Sequence, residues 1–188
     1  NAVADPGDIL VPNTLYGFGT NGYQGSDELN PGKGYWLRAY ESGTIFLSTS
    51  ASARTAEINP YLDDPSWISI NGQKLYFDMF VDEKDILQFS LPPKPPTGAF
   101  DVRFEGDWKL CNDECVVEIM SQEDLQIDYH LVGEEDWVLT DINSGQEFIF
   151  NSERSNLRYL VEPTSHMSLR KKGRLIPDTF SLYPAFPN

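Results

Sequence analysis

The chain has 188 residues, of which 40% are hydrophobic and 13% aromatic, and it carries a net charge of −15. So much apolar material excludes wholesale disorder. The acidity sets the chain against nucleic-acid phosphates and anionic lipid as partners, and no run approaches the roughly 18 apolar residues of a membrane helix. Val, Ile, Phe, Tyr and Trp recur throughout, with Gly and Pro at short intervals, the pattern of many short strands joined by turns. The opening Asn1-Ala2-Val3-Ala4-Asp5-Pro6-Gly7 lacks a basic region followed by an apolar stretch and starts without Met. It reads as the interior of a longer precursor.

Residues 1–49 are expected to form a small β unit. Leu15-Tyr16-Gly17-Phe18 reads as a strand, Asn21-Gly22 as a tight turn and Tyr23-Gln24-Gly25 as the return. Tyr35-Trp36-Leu37-Arg38-Ala39 and Thr44-Ile45-Phe46-Leu47 follow as strands. Residues 50–66 read as a linker, with a short helical turn between Ser50 and Ile58. Residues 67–171 read as a larger β-sandwich. Its first hairpin turns at Asn71-Gly72 between Trp67-Ile68-Ser69-Ile70 and the strand from Lys74 to Phe80. A strand from Ile86 to Leu91 stops at Pro92-Pro93-Lys94-Pro95-Pro96, which is expected to run as an extended surface connection. Phe100, Val102 and Phe104 alternate with Asp101, Arg103 and Glu105, and Leu125, Ile127, Tyr129 and Leu131 alternate with Gln126, Asp128 and His130. Period-two alternation predicts one buried and one wet face in each strand. Trp137-Val138-Leu139 and Glu147-Phe148-Ile149-Phe150 turn at Asn143-Ser144-Gly145, and Tyr159-Leu160-Val161 and Met167-Ser168-Leu169 complete the set. The fold class is therefore all-β: a sandwich with a smaller N-terminal unit. Residues 172–188 read as a tether, opened by the basic cluster Arg170, Lys171, Lys172 and Arg174.

Two stretches resemble a known family. Phe180-Ser181-Leu182-Tyr183-Pro184-Ala185-Phe186-Pro187-Asn188 resembles the entry to the type A C-terminal sorting domain of type IX secretion substrates, with Phe180, Leu182, Pro187 and Asn188 at its marked positions. In that family the run continues into Pro-Phe-Asn-Pro. Leu29-Asn30-Pro31-Gly32-Lys33-Gly34-Tyr35-Trp36-Leu37-Arg38 resembles a β repeat found upstream of such domains in large secreted proteins. In that repeat a further strand precedes the position of Asn1, so the resemblance implies an incomplete first unit. Leu91 to Pro96 together with Gly98 to Phe104 also resembles a segment common in these tails. The resemblance implies an extracellular or outer-surface location, an upstream domain in the same polypeptide, and the secretion machinery as a partner through a C-terminal segment. It implies no activity.

The candidate residues for chemistry have plainer readings beside them. Cys111 and Cys115 bracket three residues. If their flanks pair as a hairpin, the two lie within the roughly 4.4–6.8 Å Cα window of a disulfide. Two free thiols and metal or redox chemistry stay open at this point. His130 and His166 sit in no metalloprotease pattern and no G-x-S-x-G occurs; no residue is expected to be catalytic or metal-ligating, and no enzyme is expected. Acid clusters at Asp63-Asp64, Asp82-Glu83-Asp85, Asn112-Asp113-Glu114 and Glu134-Glu135-Asp136 lie at expected turns, where solvated acids are ordinary. None follows the EF-hand loop pattern, and calcium is the single cofactor they would suit. Tyr23, Trp36 and Tyr40 are the candidates for stacking on sugar rings, against core packing. The leading functional expectation is a non-catalytic accessory module that spaces an upstream domain from a secretion signal. The alternative is a carbohydrate- or surface-binding module, with polysaccharide as partner.

Overall fold

The alternation read from the sequence becomes two stacked sheets. A computed structural model describes residues 2–48, 59–154 and 158–173. In chain order the strands are β1 (Ala2–Ala4), β2 (Tyr16–Gly19), β3 (Gly22–Gly25), β4 (Tyr35–Trp36), β5 (Phe46–Ser48), β6 (Trp67–Ile70), β7 (Gln73–Phe77), β8 (Asp101–Phe104), β9 (Leu110–Cys111), β10 (Cys115–Met120), β11 (Leu125–His130), β12 (Trp137–Asp141), β13 (Glu147–Phe150), β14 (Tyr159–Val161) and β15 (His166–Lys171). One five-stranded sheet has the order β13-β12-β15-β10-β8, and the facing one has the order β14-β11-β6-β7-β9. All pairings are antiparallel except the short β7–β9 pair.

The core lies between these sheets. Val102, Val117, Trp137, Leu139, Phe150 and Leu169 of the first meet Ile68, Ile70, Leu75, Phe77, Leu125 and Ile127 of the second. Aromatic pairs cross the interface: Phe77 against Trp137 with ring centroids 4.7 Å apart, and Tyr129 stacked on Phe150 at 4.3 Å. The β6–β7 hairpin turns at Asn71 (φ 47°) and Gly72 (φ 88°), the left-handed pair that a two-residue turn needs. Asn71 also ties that turn to β11: its Oδ1 accepts from Gln126 N at 2.6 Å and its Nδ2 donates to Asp124 O at 3.1 Å.

The small unit has a three-stranded sheet, β3-β2-β4, and a two-stranded sheet, β1-β5. Its hairpin apex falls one residue earlier than the sequence suggests. Gly19 pairs with Gly22, so Thr20 and Asn21 make the turn and Gly22 carries the positive φ of 77°. A hydrogen-bonded bridge between Leu10 and Ala39 closes the unit. In the linker, Pro60–Leu62 forms a 3-10 turn capped by Asn59, whose side chain accepts from Tyr61 N at 3.0 Å. The turn expected between Ser50 and Ile58 lies outside the described residues.

Three expectations need correcting. Ile86–Phe89 is a 3-10 helix and not a strand. Asp85 N bonds to Asp82 O and Gln88 N to Asp85 O, so local turn bonds outcompete a ladder, and only Phe89 of the helix is buried. The face of β8 expected to be wet is covered: Asp101 is 3% exposed and Arg103 0%. The cover is the proline run, in which Pro92 and Pro95 are themselves buried. The cysteines do not face each other across a hairpin. Cys111 ends β9 in one sheet and Cys115 begins β10 in the other, with Cα atoms 6.3 Å apart, so the disulfide links the two layers. It closes a loop of only five residues, for which chain entropy gives about 2 kcal/mol. Replacing both cysteines with serine is expected to lower unfolding free energy by about that amount, read as a shift in urea midpoint at unchanged slope.

Candidate functional site

The most highly built part of the molecule outside the core is the seam between the small unit and the sandwich. It forms where segment 88–100 passes between them. Tyr16 in β2 points into it. Its ring is 2% exposed and packs with Tyr23 and Leu91, its hydroxyl donates to Ser90 O at 3.1 Å, and Lys109 Nζ lies 4.4 Å from its ring centroid. Asn13 Nδ2 donates to Gln88 Oε1 at 3.2 Å. At the tip of the β2–β3 hairpin, Gly22 packs against the Phe100 carbonyl.

On the sandwich side, the seam is anchored by Arg103. Its Nε and Nη2 donate to the two carboxylate oxygens of Asp101 at 2.5 and 2.7 Å, and its Nη1 donates to Pro92 O at 2.8 Å and to Asp107 Oδ1 at 2.5 Å. A guanidinium suits this place because its planar fork meets a carboxylate with two bonds and still has a donor for a carbonyl. Arg103 thus fastens the proline run to β8. Lys94 fastens it further to β10 through an ion pair with Glu118 at 2.7 Å.

Lys109 gives the seam a pH dependence. Burial pushes its ammonium down from 10.5 to about 8. Burial, then the neighbouring Tyr76, pushes the Tyr16 hydroxyl up from its ordinary value near 10. Between about pH 8 and 10.5 the unfolded chain holds a lysine proton that the folded chain has released, so stability rises across that window. Above about pH 10 the unfolded chain loses a tyrosine proton that folded Tyr16 keeps, so stability falls. Urea unfolding at pH 7, 9, 10 and 12 is expected to show stability rising to a crest near pH 10 and falling by pH 12. Lys109→Met is expected to remove the rise between pH 7 and 9, a rise of about 1–1.5 kcal/mol in the parent.

The residues singled out from sequence are scattered and share no common site among the described residues. Tyr23 is 7% exposed inside the seam, with its ring 5.1 Å from Phe18 and 6.5 Å from Tyr16, and presents no free face to a sugar. Trp36 is 50% exposed and lines a small cleft of about 160 Å³ with Thr14, Arg38 and Pro92. Tyr40 is also exposed but lies outside that cleft. His130 stacks on Trp67 at 6.0 Å and its Nε2 lies 2.8 Å from Asp64 Oδ1, while His166 Nδ1 lies 2.9 Å from Ser165 Oγ. The acid cluster at 134–136 is partly spent on lysines: Lys171 reaches Glu135 and Asp78, each at 2.8 Å, and Lys172 reaches Asp136 at 3.3 Å. Among the described residues, no group of three or more His, Cys, Asp or Glu is gathered to hold a metal ion, and no helix is long and apolar enough to cross a membrane. Phe180, Leu182, Pro187 and Asn188 lie outside the described residues.

Tyr16, Arg103 and Lys109 escape a sequence reading focused on motifs. A signal for one of them exists: Asp101, Arg103 and Asp107 stand at offsets of two and four, and residues two apart on a strand share a face. Compared with known proteins, the chain matches no family model, no curated protein and no solved structure.

Proposed function

We propose that the chain is a non-catalytic structural module of a secreted or cell-surface multidomain protein, which spaces an upstream domain from a C-terminal secretion signal. The observation that carries this reading is the position of β15. It is the central strand of its sheet, paired with β12 on one side and with β10 on the other. A tether leaving after Lys171 therefore pulls on the strand held from both sides.

The path from the other end is also continuous. β1 pairs with β5, the Leu10–Ala39 bridge ties the small unit together, and the seam passes load through Tyr16 and Gly22 to segment 88–100. Arg103 carries it into β8, which pairs with β10, which pairs with β15. Tension between the two ends is thus borne by hydrogen-bonded strands and a buried ion pair. The resemblance of residues 180–188 to a sorting-domain entry supports the location and the partner. In the full precursor the residues after Asn188 are expected to read Pro-Phe-Asn-Pro or close to it.

Single-molecule pulling between the chain ends tests the spacer reading. The expected trace has the small unit and the sandwich giving way together, with a contour gain of about 3.4 Å per residue released. Extension of the small unit at low force, well before the sandwich yields, would count against it.

A further inference from the structure

We propose that the loop end of the sandwich is a binding site for a neutral oligosaccharide. A groove of about 1120 Å³ lies there, walled by the β6–β7 and β12–β13 turns, the β10–β11 and β14–β15 loops, the approach to β8, and the tip of the β2–β3 hairpin. Both units therefore contribute to it.

Its chemistry is selective. Among the described residues no lysine or arginine lines it, and Glu123 and Asp124 do. With the chain's net charge of −15, phosphate, sulfate and uronate groups are repelled. What remains is a set of amides and hydroxyls, groups that both donate and accept and so match vicinal sugar hydroxyls. Thr20, Asn21, Thr97 and Gln122 make no side-chain hydrogen bond to another described residue and are free to meet a ligand. Phe100, half-buried in the wall, and Leu160, 76% exposed, supply apolar surface for the C–H faces of the rings.

The frame that presents these groups is fixed. Asn71 holds the β6–β7 turn to the β10–β11 loop, Ser121 Oγ donates to Glu123 O at 3.0 Å, and Asn143 Nδ2 donates to Thr164 Oγ1 at 3.2 Å, joining the β12–β13 turn to the β14–β15 loop. A preset frame with unspent polar groups is the arrangement that loses least on ordering when it binds. The groove is distinct from the Trp36 cleft, which has no lining residue in common with it.

Titration of the isotope-labelled whole chain with neutral gluco-, xylo- and manno-hexaoses, followed by NMR, tests this. The expected result is saturable shifts at Thr97, Phe100 and Gln122 with at least one of the three. Binding is expected to weaken about tenfold in Gln122→Ala combined with Asn21→Ala, as the loss of one or two hydrogen bonds predicts, and to be unchanged in Trp36→Ala. Thr97→Ala, an exposed position, serves as the second groove variant should the pair perturb folding. No shift with any neutral hexaose, shifts centred on Trp36, or equal binding of an oligogalacturonate would each overturn the proposal. None of these outcomes bears on the spacer reading, which the pulling measurement decides separately.

Discussion

Asp101→Ala is expected to cost about 3–5 kcal/mol, among the largest single losses in this molecule. Arg103 is fully buried, and Asp101 supplies both oxygens that meet its Nε and Nη2. Removal of the carboxylate leaves a guanidinium without solvent and with two of its four hydrogen bonds gone. Asp107 cannot replace it, because it bonds the other terminal nitrogen and is itself well exposed. Arg103→Met is expected to cost a similar amount for the converse reason, since it strands Asp101 and frees Pro92 O. Asp101→Val with Arg103→Met removes both charges and puts residues suited to a strand in their place. It is expected to recover most of the loss, since a buried pair is expensive to break and cheap to replace. Urea denaturation reads these values, and adding Asp101→Val alone closes the double-mutant cycle with Arg103→Met. Additive losses would mean that the two side chains do not act as a pair.

Gly22→Ala is expected to cost about 2–4 kcal/mol, from two separate causes. Gly22 sits at φ 77°, where any side chain is strained. Its pro-side-chain direction also runs into the Phe100 carbonyl oxygen, a backbone atom that cannot rotate away. The hairpin tip must lift off the sandwich or the β8 approach must shift, and both open the seam. Gly72→Ala is the control. Gly72 has φ 88° but meets open space, so it carries the backbone cost without the collision and is expected to lose only about 1–2 kcal/mol. Hydrogen exchange should show the difference in place: Gly22→Ala exposes β2 and β3, and Gly72→Ala does not.

The sandwich was legible because its strands obey simple rules. Leu125, Ile127 and Tyr129 are buried, as their alternation demands, and Asn71-Gly72 turns where its tolerance of positive φ says it should. Alternation assigns residues to two faces, however, and does not say what covers the second face. That is why Asp101 and Arg103 read as wet when the proline run lies over them. The same limit applies to Tyr23, whose face depends on Leu91, distant in sequence. The cysteine pair was legible as a bond but not as a link between layers, since a three-residue spacing fits a hairpin and a crossover equally well. Residues 86–91 read as a strand from their composition, yet Asp82, Asp85 and Gln88 favour local turn bonds that composition does not register. The groove at the loop end draws on six segments and has no signature in any one of them.

A single cooperative fold shared by the small unit and the sandwich is what the spacer role requires. Scanning calorimetry of the whole chain at pH 7 reads it most directly. One transition is expected, with calorimetric and van't Hoff enthalpies equal, and with Gly22→Ala splitting it in two. Two separate transitions in the parent chain, with the first confined to β1–β5, would contradict it.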